Sequence, residues 1–190
     1  MSPADRRQAL YLFTRTNGAF LEWLHSPIKY LEVGSFAAAM RELAPQCVNA
    51  TALCYHYSHM ARRNAAEYLF RDQVRLKKYF YVLRPLLAIR HIEQGLGIPP
   101  VRFQELVESV APAQIRAAIA NLLELKAQTS ELGLGAPVPE INEFIEGELE
   151  RHGQLFSGQG RPDLLVGGEL RARLNDVFRA AIAEGVRGNA

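Results

Sequence analysis

Apolar residues recur along most of this 190-residue chain at three- and four-residue intervals, the spacing that gathers side chains on one face of an α-helix. Residues 4–16 carry Leu10, Tyr11 and Phe13 on neighbouring turns, and Asn17-Gly18 closes that segment. Residues 19–26 read as a short helix stopped by Pro27. Ser35 caps a helix expected through Leu43, with Pro45 ending it. Asn49 or Thr51 caps a longer one to about Phe70. Asp72 opens the next, which runs to about Gln94 and is closed by Gly95, Gly97 and Pro99-Pro100. Pro85 inside it removes a backbone donor, so a kink is expected there. Further helices are expected at 102–110, 112–131, 139–152 and roughly 168–185, the last preceded by a linker, SGQGRPD, at 157–163. The one plausible strand is 28–33 (IKYLEV), and a lone strand cannot make a sheet. The pattern predicts an all-α fold: an antiparallel helical bundle with at most one short strand. It divides into a helical domain over 1–155 and a linker plus C-terminal helix over 156–190.

Composition narrows the setting. The longest apolar runs are broken by Arg, Lys or Glu before the ~18 residues that a membrane helix needs. No apolar leader core follows Met1, so a cytoplasmic protein without membrane contact is expected. Cys47 and Cys54 are too few for a disulfide framework and read as small buried hydrophobes. The net charge of +2 is no nucleic-acid signature, but its distribution is uneven. Residues 51–100 hold eight basic residues against three acidic ones, whereas 101–190 hold nine against thirteen. A positive middle beside a negative C-terminal half suggests an anion-facing surface or two halves that attract each other.

The candidate chemistry falls on that positive middle. In the 72–94 helix, Leu76, Phe80, Leu83 and Leu87 share a face expected to enter the core. Lys77, Tyr81, Arg84 and His91 share another, with the small Ala88 between the last two. Lysine supplies a mobile point charge, arginine a planar fork for phosphate, and tyrosine a face for a base. In the preceding helix Tyr57, Asn64 and Tyr68 recur at i, i+7 and i+11, where they could read a base or ribose or form a half-buried packing seam. The expected substrate-binding residues are therefore Tyr57, Asn64, Lys77, Tyr81 and Arg84. No catalytic residue is assigned. His56 and His59, near Cys54, lack the paired spacing of a zinc site, so no metal ligand is assigned either. Glu140, Glu143, Glu146, Glu148 and Glu150 read as a solvated acidic face.

Three stretches, FLEWLHSPIKY (20–30), YHYSHMARRNAAEYL (55–69) and RLKKYFYVLRPLLAIR (75–90), together resemble the C-terminal helical portion of bacterial predicted nucleotidyltransferases of the DNA polymerase β superfamily. PPVRFQELVES (99–109) and PVPEINEFIEGEL (137–149) resemble its continuation, so the likeness runs in order over about 6–150. The resemblance implies a two-part enzyme. A mixed α/β module with a Gly-Ser motif and clustered aspartates holds two metal ions, expected to be Mg2+, and the helical part closes over a nucleoside triphosphate or RNA end. The four aspartates here, Asp5, Asp72, Asp163 and Asp176, are scattered and form no Asp-x-Asp pair. The metal-dependent step is therefore assigned to no residue of this chain, which needs no cofactor of its own in this reading. The catalytic module is expected in the same or a separate chain.

Two other readings stand beside this one. Arg84 and His91, separated by six residues on one helical face, resemble the Arg-x4–6-His motif of HEPN-type metal-independent ribonucleases, although Pro85 stands where a polar residue is usual. A non-catalytic helical interaction module is the third.

Overall fold

The computed structural model describes residues 2–128, 133–156 and 167–187. Helices account for about three-quarters of these residues, and the chain groups into two compact units, residues 1–53 with 162–190 and residues 54–161.

In the first unit, α1 (Pro3–Thr14) starts with a capping box in which Ser2 and Asp5 satisfy each other's backbone N–H, with Pro3 in the first turn, where no donor is needed. Thr16 adopts a left-handed φ of 48° in the turn that follows. Its buried hydroxyl accepts from Asn49 N at 3.1 Å, which fixes the strained turn from outside. Asn17 caps α2 (Gly18–Leu24) through Phe20 N at 2.9 Å. In α3 (Phe36–Cys47), Phe36, Met40, Leu43, Ala44 and Cys47 form the buried stripe. The helix passes through Pro45, which was expected to end it, because a proline in the last turn costs one bond and the chain leaves within two residues. Asn49, rather than Thr51, caps α4 (Ala50–Tyr68) by accepting from Ala52 N at 2.9 Å.

The final helix, α9 (Gly168–Arg187), packs on α1 and α3 and contributes buried Leu174 and Ala181. Arg6 donates to Ala181 O at 2.6 Å, and Arg173 donates to Gln46. The linker expected at 157–163 lies outside the described residues. No strand forms at 28–33. Pro27 to Ser35 are all exposed, and Trp23, Ile28, Tyr30, Leu31 and Val33 hold apolar side chains in solvent. Polar contacts anchor the segment. Arg41 reaches Leu24 O and Glu32, while Ser35 N and Oγ donate to the Glu184 carboxylate at 3.0 and 2.6 Å.

The second unit is built around α5 (Lys77–Glu93). Tyr79, Val82, Leu83, Pro85, Leu86, Leu87, Ala88, Ile89 and His91 are all buried, so this helix has a core on most sides from its second turn onward. The expected stripe is only half right: Leu83 and Leu87 are inside, but Leu76 and Phe80 are half-buried. α6 (Phe103–Val110) and α8 (Pro139–Leu155) pack against it, and α7 (Ala113–Gln128) packs on α8. A two-residue antiparallel pair, β1 (Val74–Arg75) with β2 (Leu134–Gly135), is the extended structure among the described residues. The Tyr79 hydroxyl donates to Asn142 Oδ1 at 2.8 Å and accepts from Val138 N at 3.0 Å, setting the start of α8. The C-terminus of α5 closes in a Schellman motif: Gly95, at φ 73°, donates to Ile92 O and Leu96 N to His91 O.

Glu148 does not belong to a solvated face. Glu140, Glu143, Glu146 and Glu150 are exposed or half-exposed, but the Glu148 side chain is only 9% exposed, held by Arg90 at 2.9 Å and Arg151 at 2.8 Å. Arg151 also grips Glu93 through both terminal nitrogens, at 2.9 and 2.8 Å. Its Nη2 donates to Nε2 of the fully buried His152 at 2.9 Å. That contact requires an unprotonated Nε2, and burial and then the neighbouring Arg151 charge lower the imidazole pKa.

A histidine held neutral in the fold stabilises it above the unfolded pKa of about 6.5. That stability is lost as the pH falls from there towards the folded-state pKa, because the unfolded chain takes up a proton that the native chain refuses. The slope approaches ~1.4 kcal/mol per pH unit for each such group. Chemical denaturation between pH 7.5 and 5 should show unfolding free energy falling with pH, and His152→Gln should flatten that slope whatever its absolute stability. Parallel slopes for the two proteins would contradict this role for His152.

Candidate functional site

The residues singled out in the sequence all lie in the second unit, and the fold treats them differently. Tyr57 is buried at 2% exposure on the stripe of α4 that also carries Cys54, Ala61 and Ala65, with its ring 5.5 Å from that of His56. Its ring is part of the core and is not presented to a base. Asn64, one turn beyond Ala61, is half-buried at the border of that stripe.

The amide of Asn64 has a specific backbone partner. An α-helix closes each carbonyl at i with the N–H at i+4, and Pro85 has no N–H to offer Tyr81. Asn64 Nδ2 donates to Tyr81 O at 3.2 Å and so satisfies the carbonyl that the proline leaves open. The same bond holds the C-terminal half of α4 beside the first turns of α5.

Arg84 is half-buried and donates to Val101 O at 2.8 Å, with Pro100 O at 3.5 Å, so its fork braces the loop leading into α6. His91 is buried with Nε2 on Leu96 O at 3.2 Å, and burial lowers its pKa. Seven residues of helix set it roughly 10 Å along the axis from Arg84. The two contact separate loop carbonyls. Ala88, expected as a gap in a solvent-facing line, is fully buried. The line is therefore a surface only over its first turns.

Those turns carry a cationic, aromatic face. Lys77 is half-buried and Tyr81 is 51% exposed. Between them in sequence lies Lys78, whose ammonium sits 3.5 Å from the centre of the Tyr68 ring and 4.6 Å from that of Tyr81. Two rings on one ammonium tie the three side chains together. Beside this group, Phe70 is 47% exposed at a left-handed φ of 60°, and Arg71, Asp72 and Arg75 are exposed as well. Sequence reasoning passed over Lys78 because it is off the Lys77–Tyr81–Arg84 line. Its i, i+3 spacing to Tyr81 was the available signal, whereas its contact with Tyr68 needed the α4–α5 packing.

A two-metal centre does not fit the described residues. Asp5 is engaged in capping α1, Asp72 and Asp176 belong to different units, and no three His, Cys, Asp or Glu side chains among the described residues converge to hold an ion. Cys47 and Cys54 are buried thiols whose pKa values desolvation raises to about 11 and about 12, which suits packing rather than ligation.

These features define an all-α protein with a cationic, aromatic face at the start of α5, and comparison with known proteins places it further. Residues 4–180 match the family described as the RNA repair pathway DNA polymerase beta family, and the chain belongs to that family. The match takes in most of α9, beyond the stretch in which the sequence alone shows a likeness. The chain is also 44% identical over 148 residues to a Bacillus subtilis (strain 168) protein named uncharacterized protein YcgL. The alignment covers 77% of this chain and 57% of the relative, so the chain spans little more than half the length of that protein. No solved structure matches it.

The role of Asn64 is open to a direct test. Asn64→Ala should cost about 1 kcal/mol in thermal or chemical denaturation, the usual worth of one such bond. In a Pro85→Ala background the same change should cost much less, because an alanine there supplies the N–H that Tyr81 O lacks. Additive effects in this double-mutant cycle would show that the amide and the proline are not linked.

Proposed function

We propose that this chain is the nucleotide- or RNA-end-binding helical portion of a nucleotidyltransferase that works in RNA repair. The observation that carries the reading is the Lys78 ammonium seated on the Tyr68 and Tyr81 rings within the positive segment of a DNA polymerase beta family member. In this reading Lys77 and Lys78 meet phosphates and the exposed Tyr81 ring meets a base. Arg84 and Asn64 act from behind, holding the loop after α5 and the α4–α5 pairing through their backbone partners. Tyr57 supports the face from the core. The carboxylates and Mg2+ that drive nucleotidyl transfer belong to a catalytic module, in the same or a separate chain. The exposed apolar residues from Trp23 to Val33 support such a partner, since a run of large hydrophobic side chains in solvent marks an interaction surface.

The binding face is testable with a nucleoside triphosphate as probe. Lys77→Ala and Lys78→Ala should each weaken binding by roughly ten- to a hundredfold, corresponding to about 1.5–3 kcal/mol for a charge-assisted contact. The difference from wild type should narrow at high salt, since screening weakens cation–phosphate attraction. Lys29→Ala, in the first unit, serves as the control. Calorimetric titrations giving equal affinities for all four folded proteins would refute the assignment.

A further inference from the structure

A groove of about 380 Å³ lies in the second unit, between α7, Leu76 at the start of α5 and the residues that lead from β2 into α8. We infer that this groove binds an elongated aliphatic amine, independently of the nucleotide-binding face on α5. The volume falls at the low end of small-ligand pockets. Its long wall is one face of α7, where Gln114, Ala117, Ala118, Asn121, Leu122 and Leu125 recur at helical spacing over three turns. At a rise of about 1.5 Å per residue, that wall is roughly 16 Å long.

The lining is mostly apolar. Leu122 is buried and Leu76, Ala118 and Val138 are half-buried, so together they supply a floor on which methylene groups can leave water. A Cβ at Gly135 would stand 3.0 Å from Leu76 Cδ1, so glycine there lets the leucine lie directly on the β2 main chain. The small side chains of Ala117 and Ala136 keep the groove open. Among the described residues that line it, Glu140 alone carries a charge, and that charge is negative. Gln114 and Asn121, two turns apart on α7, each add an amide carbonyl as acceptor. Among the described residues, none gives the Gln114, Asn121 or Glu140 side chain a hydrogen bond or ion pair, so all three remain available to a ligand. An ammonium group brings N–H donors and no acceptor, which suits a carboxylate and amide carbonyls and disfavours an anionic ligand. The N–H end of α8 opposes a cation, but it is a fractional charge against the full one on Glu140. A cationic head on a methylene body therefore matches the groove in both polarity and shape.

Monoamines and polyamines share this chemistry, and the probes separate them. Hexylamine and hexamethylenediamine would be titrated into the 15N-labelled chain, with hexanol and hexanoate as partners of the same length that lack the cation. The expected result is movement of the Gln114 and Asn121 side-chain amide signals, with hexylamine bound about tenfold or more tighter than hexanol. Glu140→Gln should remove that preference, whereas Ala117→Leu, which fills the groove, should weaken amine and alcohol alike. Glu140 and Ala117 are exposed, so neither variant removes core packing. Glu143→Gln, exposed on α8 outside the groove, should leave binding unchanged. Tighter binding of the diamine than of hexylamine identifies a polyamine as the occupant, and the reverse identifies a monoamine. Hexanol bound as tightly as hexylamine, or a preference for the amine that survives Glu140→Gln, would overturn the assignment of a cation to Glu140. No movement of either amide signal with any probe would overturn the site outright.

Discussion

Burial of α5 on most of its sides leaves few of its polar groups to water, and much of the second unit follows from the partners that they find inside the protein. The Tyr79 hydroxyl bridges Asn142 and Val138 and so sets where α8 begins. Tyr81 O, left open by Pro85, takes the Asn64 amide and draws α4 alongside. Arg84 reaches the carbonyls that lead into α6, His91 reaches Leu96 in the closing turn, and Arg90 reaches Glu148 on α8. A buried polar group without a partner costs about 1–3 kcal/mol, so these bonds determine which neighbours α5 can have more than they add net stability. The Glu148 cluster extends the logic to charge: a half-buried arginine beside a buried carboxylate is tolerable only when the pair stays together.

The same constraint explains why the first turns of α5 are different. Lys77, Lys78 and Tyr81 precede the fully enclosed stretch, so their polar ends can remain in solvent. Lys78 is ordered by two aromatic faces rather than by a carboxylate, which leaves its positive charge uncompensated by an ion pair in that contact. An ordered cation beside an exposed ring is a different surface from a row of solvated lysines. Its presence in a member of the RNA repair pathway DNA polymerase beta family gives the proposed binding role its physical basis.

The first unit is arranged by other means. Caps at Ser2, Asn17 and Asn49 start three helices, and side chain to backbone bonds join the segments, as Thr16 does for Asn49 and Arg6 for Ala181. Its apolar stretch from Trp23 to Val33 is tethered through Arg41, Glu32 and the Ser35–Glu184 contact. Polar tethers of this kind keep a segment in place while leaving its hydrophobic side chains uncovered.

The sequence by itself determined the helices, because caps, breakers and three-to-four spacing act over a few residues. Asn17, Asn49 and Gly95 end or begin helices where their local chemistry requires it. It also placed a positive segment at 51–100, and a few of its stretches were enough to show a likeness to DNA polymerase β superfamily proteins. Spacing placed Leu83 and Leu87 inside, but tertiary structure decided how much more of each helix is covered. Tyr57, Ala88 and His91 look like members of polar or open lines, but α5 is covered on several sides, and a single helical wheel cannot reveal a second or third neighbour. Partnership was equally hidden. That Glu148 pairs with Arg90, that Asn64 answers Pro85, and that Lys78 rests on Tyr68 are facts about residues 10 to 58 positions apart, brought together only when the helices pack. Local rules reach about one helical turn along the chain, and contacts across helices lie beyond that reach.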